Sequence, residues 1–462
     1  MSMLINAISA IGNNNSFYPL LVRDCGIEAP TKVSQTYTQN AKESKIMAKH
    51  ATRERMIDEY GASAIWLGGI PLVEWVCNKL IDKKGLSSKI NFKLLDDNKN
   101  AMSDIDKKQQ GVDINIEKFS KEGYAEDVKS AVEDLKKAKA NKGLMKKLTA
   151  GKYTAAIAIP VALMGFVLPK CNFALTNYLF AKDAKKGLIP EKYLIAKGLK
   201  PENKNITTTN KTEKSAEIEY NKLYKSSDST QFSALNSMRA KNKPSFTGFA
   251  SFMTGLTQQQ KMAMTDGGLG IGRVGTSRRK NEAFENSLRV LGMMYLNFVA
   301  PKQIDKLLDK GIMSTFGINP SLDPKIIANK RFLAKVKYNE LELPKSQEEI
   351  IEFIDKNPKS MFAKIAEQEG EVKFLKSGVR DPRCYVNTKN VYKLAQKVNN
   401  FAESARASGD VAKYAKKALG AKSASILSNI AISSTLLAVG LPQAQFLLRR
   451  FISGSKVDPG LM

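Results

Sequence analysis

The stretch of this chain that looks most like chemistry is "TDGGLGIGRVGTSRRKNEAFENSLR", from Thr265 to Arg289. Gly270, Gly272 and Gly275 fit the GxGxxG spacing that lets backbone amides approach a pyrophosphate, and with Thr276 and Ser277 they resemble a Walker A loop. Both matches fail on context. A dinucleotide site needs a strand ahead of the glycines and an acid about 20 residues on, whereas "QQQKMAMTDG" is not strand-like. A Walker A loop needs lysine where Thr276 stands, because that ammonium reaches the phosphates. The reading is a glycine-rich loop followed by a helix capped by Thr276 or Ser277. Arg273, Arg278 and Arg279 beside that cap could hold an anionic lipid headgroup.

Other reactive residues are sparse. The sole histidine, His50, lies in "MAKHATRERMIDEY" with no cysteine or acid cluster near it, which points to a surface role rather than a metal ligand or triad base. Cys25, Cys77, Cys171 and Cys384 are too far apart for a CxxC pair and read as reduced structural thiols. No GxSxG, HExxH or EF-hand pattern occurs. No catalytic, cofactor-binding or metal-binding residue is assigned, and the expected role is non-enzymatic. Glu74 is the one acid inside an apolar stretch, four residues before Asn78, and reads as a snorkelling interfacial acid.

The elements around these residues are apolar islands in a lysine-rich chain of 462 residues with 73 Lys+Arg against 45 Asp+Glu. A formal charge of +28 favours an anionic partner. The islands are Gly61 to Cys77, Tyr153 to Phe180, Val290 to Pro301, and residues 424–448, with hinge-like cores LGGIP, GFVLP, NFVAP and AVGLP ending at Pro71, Pro169, Pro301 and Pro442. About 20 apolar residues cross a bilayer, so the second and fourth pass on length, the first is marginal and the third is too short. The fourth is diluted by Ser425, Ser428, Asn429, Ser433 and Ser434, so it is doubtful as a free-standing span and easier to accept packed against others.

Basic residues flank both ends of the second and fourth islands, among them Lys146 and Lys147 before one and Arg449 and Arg450 after the other. A simple span obeying the positive-inside rule would show a bias between its ends. The sequence therefore suggests that each island enters one leaflet as a helical hairpin turning at its proline, with the basic flanks on anionic headgroups. Trp66 and Trp75 would then lie at similar depth on two arms.

Between islands the periodicity is helical, as in Gly123 to Ala140 and Asn390 to Ala407. "LPKSQEEIIEFIDKNP" opens with a capping box, Ser346 with Glu349, and stops near Pro358. No long β-branched runs appear. The N-terminus lacks a basic region ahead of an apolar run, so a cytosolic start is expected.

The expected fold is mainly α: a multi-helix, membrane-associated protein with four proline-interrupted apolar helices and helical cytosolic regions. Residues 1–60 form a polar N-terminal region, and 61–200 hold two apolar segments (61–77 and 153–180). Residues 201–248 are a flexible polar linker rich in Lys, Asn, Ser and Thr. Residues 249–462 hold the glycine-rich loop, two more apolar segments (290–301 and 424–448) and a helical soluble insert (302–423). The expected role is membrane organisation or scaffolding, with anionic lipid headgroups, and protein partners or self-association, as the expected contacts. The alternatives are a transporter or channel-like protein built from broken helices, and a soluble basic helical protein binding nucleic acid. The last ranks lower because the lysines concentrate beside apolar islands and no recognition-helix or aromatic RNA-binding pattern appears.

Overall fold

The computed structural model describes residues 3–13, 16–42, 44–96, 102–196, 252–254, 256–275 and 280–453. Residues 201–248, read above as a linker, lie outside the described residues. What is described is mainly helical, with no strand beyond an isolated bridge between Phe374 and Arg380.

Six long helices make the bundle among the described residues. α1 spans 18–41, α2 is Lys45–Lys83, α3 is Lys142–Lys185, α4 is Gln258–Gly275, α5 spans 280–316 and α6 spans 411–453. Each packs against the next in sequence, and α6 returns to α1. Three of them, α2, α3 and α6 up to Gln445, are long and apolar enough to cross a membrane. The segment 290–301 sits in α5, which does not meet that criterion.

The prolines do not turn the chain back. α2 continues as an α-helix through Pro71, and α3 runs unbroken from Lys142 to Lys185 through Pro160 and Pro169. The hairpin expectation is therefore wrong: Trp66 and Trp75 share one helix, the first buried and the second exposed. What the prolines do is widen a turn. Four π-helical turns, Val22–Glu28, Leu163–Val167, Tyr295–Val299 and Leu436–Gly440, each end two residues before a proline: Pro30, Pro169, Pro301 and Pro442. A helical proline has no N–H and its ring collides with the carbonyl four residues back. At each site the residue before the proline bonds instead to the carbonyl five residues back, as from Leu441 to Leu436 and from Ala300 to Tyr295.

The glycine-rich stretch is also not a loop. Gly267 to Gly275 lie within α4, and they persist there because neighbouring helices occupy the space a side chain would fill. A Cβ on Gly270 would sit 2.2 Å from Val290 Cγ1, and one on Gly272 would sit 3.3 Å from the Cα of Gly165 in α3. Backbone thus meets backbone where α3 widens, the close approach small residues allow in bundles without a hydrophobic drive between helices.

A second region is built conventionally. Its largest core runs from Leu322 through Phe332, Ile354, Phe362 and Phe401 to Ala418, and a smaller one joins Ile81, Phe92, Leu135 and Met145. The expected helices appear as Glu126–Ala140 and Thr388–Ala407. The one opened by Ser346 begins later, at Ile350, with Glu349 accepting a bond from the Lys345 amide, and it stops at Lys356 before Pro358. This lobe draws on residues from both sides of 201–248. Arg383 pairs with Asp134 at 2.8 Å, and Asp106 accepts from the hydroxyls of Tyr385 and Thr388, each at 2.6 Å. Buried Arg380 forms a two-point bond to Asp355, which Lys118 also contacts at 2.7 Å.

α3 and α6 belong to both regions. Met145 and Ala150 at the start of α3, and Tyr414 and Ala418 at the start of α6, lie in lobe cores. Farther along, the same helices enter the bundle.

Candidate functional site

The bundle buries an apolar core of Leu20, Trp66, Ile70, Met164 and Leu269 but leaves much apolar surface outside it. Only 17%, 22% and 44% of the most apolar stretches of α2, α3 and α6 are buried inside the protein. Leu72, Trp75 and Leu80 on α2, Ile159 and Phe166 on α3, and Leu427 and Ile432 on α6 face outward. The buried positions include Ser425, Asn429, Ser433 and Ser434 on α6, and Asn172 and Thr176 on α3. Of the polar groups that dilute the hydropathy of residues 424–448, Ser425, Asn429, Ser433 and Ser434 are thus turned inward, while Ser428, Thr435 and Gln443 are exposed.

At two of the π turns, carbonyls that the prolines set free are met by polar side chains of α1. Pro442 displaces the carbonyl of Ala438, which accepts from Gln35 Nε2 of α1 at 3.2 Å. Pro301 displaces that of Asn297, which accepts from Arg23 Nη1 at 3.3 Å. Arg23 is fully buried, and its Nε also donates to the Pro19 carbonyl. Asn429 donates to the Pro301 carbonyl at 2.9 Å and Asn172 to the Glu54 carbonyl at 2.9 Å, so each ties two helices.

Charged groups lie beside these turns. Buried Lys32 pairs with buried Glu28 one turn away and lies 3.9 Å from Glu59 of α2. Glu59 also receives Arg55 at 2.8 Å and Arg289 of α5 at 2.7 Å. Three helices therefore share one ionic cluster. On α6, Lys422 reaches Asp309 at 2.9 Å and Asp305 at 3.2 Å on α5, and Ser425 donates to Asp309. Desolvating such ions costs several kcal/mol each unless they are paired, which accounts for the multiple partners.

The residues singled out by sequence fall as follows. Pro169, Pro301 and Pro442 follow π turns, whereas Pro71 sits in ordinary α-helix. Glu74 does not snorkel: it is bonded to Lys261 of α4 at 2.6 Å. His50 is not on the surface; it is buried, with Nε2 2.9 Å from Asp183 of α3 and Nδ1 3.0 Å from Arg53. Lys146 is half-buried and Lys147 exposed on the first turns of α3. Arg278 and Arg279 lie outside the described residues; Arg273 is within α4, and Arg449 and Arg450 within the last turns of α6. The sequence reading missed Arg23, Gln35, Lys32 and Glu59, whose partners on other helices lie tens to hundreds of residues away. No group of three or more His, Cys, Asp or Glu suited to a metal occurs among the described residues.

The lobe holds its own perturbed groups. Burial pushes the Cys384 thiol to about 11, and Asp381 beside it acts in the same direction. Burial also raises the carboxyl of Glu371, against bonds from Asn390 and the charge of Lys397. Comparison with protein-family models, with curated proteins and with solved structures finds no match to this chain.

Proposed function

We propose that this chain is a non-enzymatic integral membrane protein whose helical bundle is a platform, holding a basic helical lobe at the membrane surface to organise the membrane or gather partners there. The observation that carries the reading is the exposed apolar surface of α2, α3 and α6, around an interior where serine, asparagine and paired ions sit beside an apolar core of Leu20, Trp66, Ile70, Met164 and Leu269. In water such an outer face would be an aggregation liability, whereas in lipid it is the solvent-matched surface. The formal charge of +28 suits anionic headgroups or acidic partners beside the lobe.

The test is alkaline carbonate extraction combined with thiol labelling. The protein is expected to stay with the membrane pellet, and release into the supernatant would overturn the proposal. An impermeant maleimide applied from each side to single-cysteine variants retaining Cys77 or Cys171 then fixes the orientation of α2 and α3.

A second reading, a transporter, draws on a different observation. Asn172, Asn297 and Asn429 each keep a side-chain oxygen buried without a hydrogen-bond partner, beside the π turns and the ionic cluster. Broken helices with ionisable neighbours line substrate paths in known transporter architectures. Solute or proton flux into proteoliposomes that is lost in Glu59→Gln would favour it over a platform.

A further inference from the structure

A polar cavity of about 260 Å³ lies at the seam between lobe and bundle. Lys152 and Tyr153 of α3 form one wall, Lys89 comes from the loop after α2, and Glu371, Lys373 and Cys384 come from the lobe. We propose that this cavity binds a phosphate group.

Three lysines and one glutamate are among the lining residues, a formal excess of two positive charges. That complements the charge of about −1.5 to −2 on a phosphomonoester at pH 7. The lysines are not already satisfied by acids. The Lys152 ammonium donates to neutral Asn78 at 3.1 Å, while nearby Glu74 is taken by Lys261 at 2.6 Å. Neither Lys89 nor Lys373 forms an ion pair among the described residues, in contrast to Lys118, Lys129 and Lys139 of the same lobe. Lysine is a compact charge that binds phosphate without the fork geometry arginine would impose. The volume falls short of the roughly 300–1,000 Å³ of pockets for drug-sized ligands, so it suits a phosphate or a headgroup better than a nucleotide. The phosphate has two possible sources, a lipid headgroup or a soluble phosphoester, and both present the same chemistry to the lysines.

Cys384 lines the cavity and reports occupancy. The full-length chain in neutral detergent is alkylated with and without inorganic phosphate, and the chain in phosphatidylcholine vesicles is alkylated with and without added phosphatidate. The rate at Cys384 is followed by peptide mass spectrometry, with exposed Cys171 as internal reference. Either probe is expected to slow Cys384 several-fold and leave Cys171 unchanged. The double variant Lys89→Gln/Lys373→Gln, which alters two exposed side chains, is expected to abolish that protection. Protection by phosphatidate alone assigns the site to a headgroup, and by inorganic phosphate alone to a soluble phosphoester. No protection by either, or equal protection in the double variant, overturns the proposal. The detergent arm reads the site even for a chain that carbonate releases from membranes, so the two proposals fail separately.

Discussion

Gln35 offers the sharpest test of how the π turns are held. Its side-chain amide serves a carbonyl that is free only because Pro442 blocks the ordinary helical bond to Ala438. Gln35→Leu leaves that acceptor without its partner. An unmet buried acceptor costs about 1–3 kcal/mol in water-soluble proteins, while interhelical bonds in membrane bundles average about 0.6 and reach about 1.7 kcal/mol. A loss of about 1 kcal/mol is therefore expected. The decisive measurement is a double-mutant cycle with Pro442→Ala. Alanine restores an N–H at position 442 that can take the Ala438 carbonyl, so Gln35→Leu should cost almost nothing in that background. The assay is reversible unfolding in mixed micelles by a denaturing detergent, followed by circular dichroism. A coupling energy of about 0.5 kcal/mol or more is the expected signature, since contacting residues typically couple at that level or above. Additive effects within about 0.3 kcal/mol would refute the idea that Gln35 is there for the proline.

Further outcomes follow from other contacts. Gly272→Leu should destabilise the bundle by about 1–3 kcal/mol, because its side chain must enter the backbone contact with Gly165, whereas Gly151→Ala, whose Cβ meets nothing within 4 Å, should stabilise α3 by about 0.5–1 kcal/mol in the same unfolding assay. Lys422→Met should cost about 3–5 kcal/mol by leaving Asp305 and Asp309 unpaired, and adding Asp305→Asn with Asp309→Asn should recover much of it. Glu371 has a raised folded-state pKa, so its contribution to stability is present below the unfolded value of about 4.3 and is lost as pH rises through the folded value. Glu371→Gln should accordingly raise the melting temperature at pH 8 and change it little at pH 4; an equal shift at both would contradict this.

Periodicity made the lobe legible, since Val391, Leu394, Val398 and Phe401 recur at helical spacing and all lie in one core. The bundle was legible only in part. GFVLP, NFVAP and AVGLP marked true distortions, but the fourth, "VRDCGIEAP", escaped notice because Arg23, Asp24 and Glu28 hide it from any search for apolar islands. LGGIP matched the pattern and yet keeps ordinary helix around Pro71. The glycines of α4 were read as a loop because glycine costs about 1 kcal/mol in a helix. That local penalty is outweighed by contacts with Val161, Val290 and Gly165, which belong to other helices and leave no local trace. His50 and Glu74 were misplaced for a similar reason: a single sequence does not show that Asp183 and Lys261 wait across the interface.

Because α3 and α6 are rooted in the lobe cores and pass without interruption into the bundle, the two regions share beams rather than a joint. From Tyr414 in the lobe to Ala438 at the last π turn is a rigid arm of roughly 36 Å, at about 1.5 Å per residue. A shift of the lobe cores would thus be carried along α3 and α6 to their widened turns, with no intervening loop to absorb it.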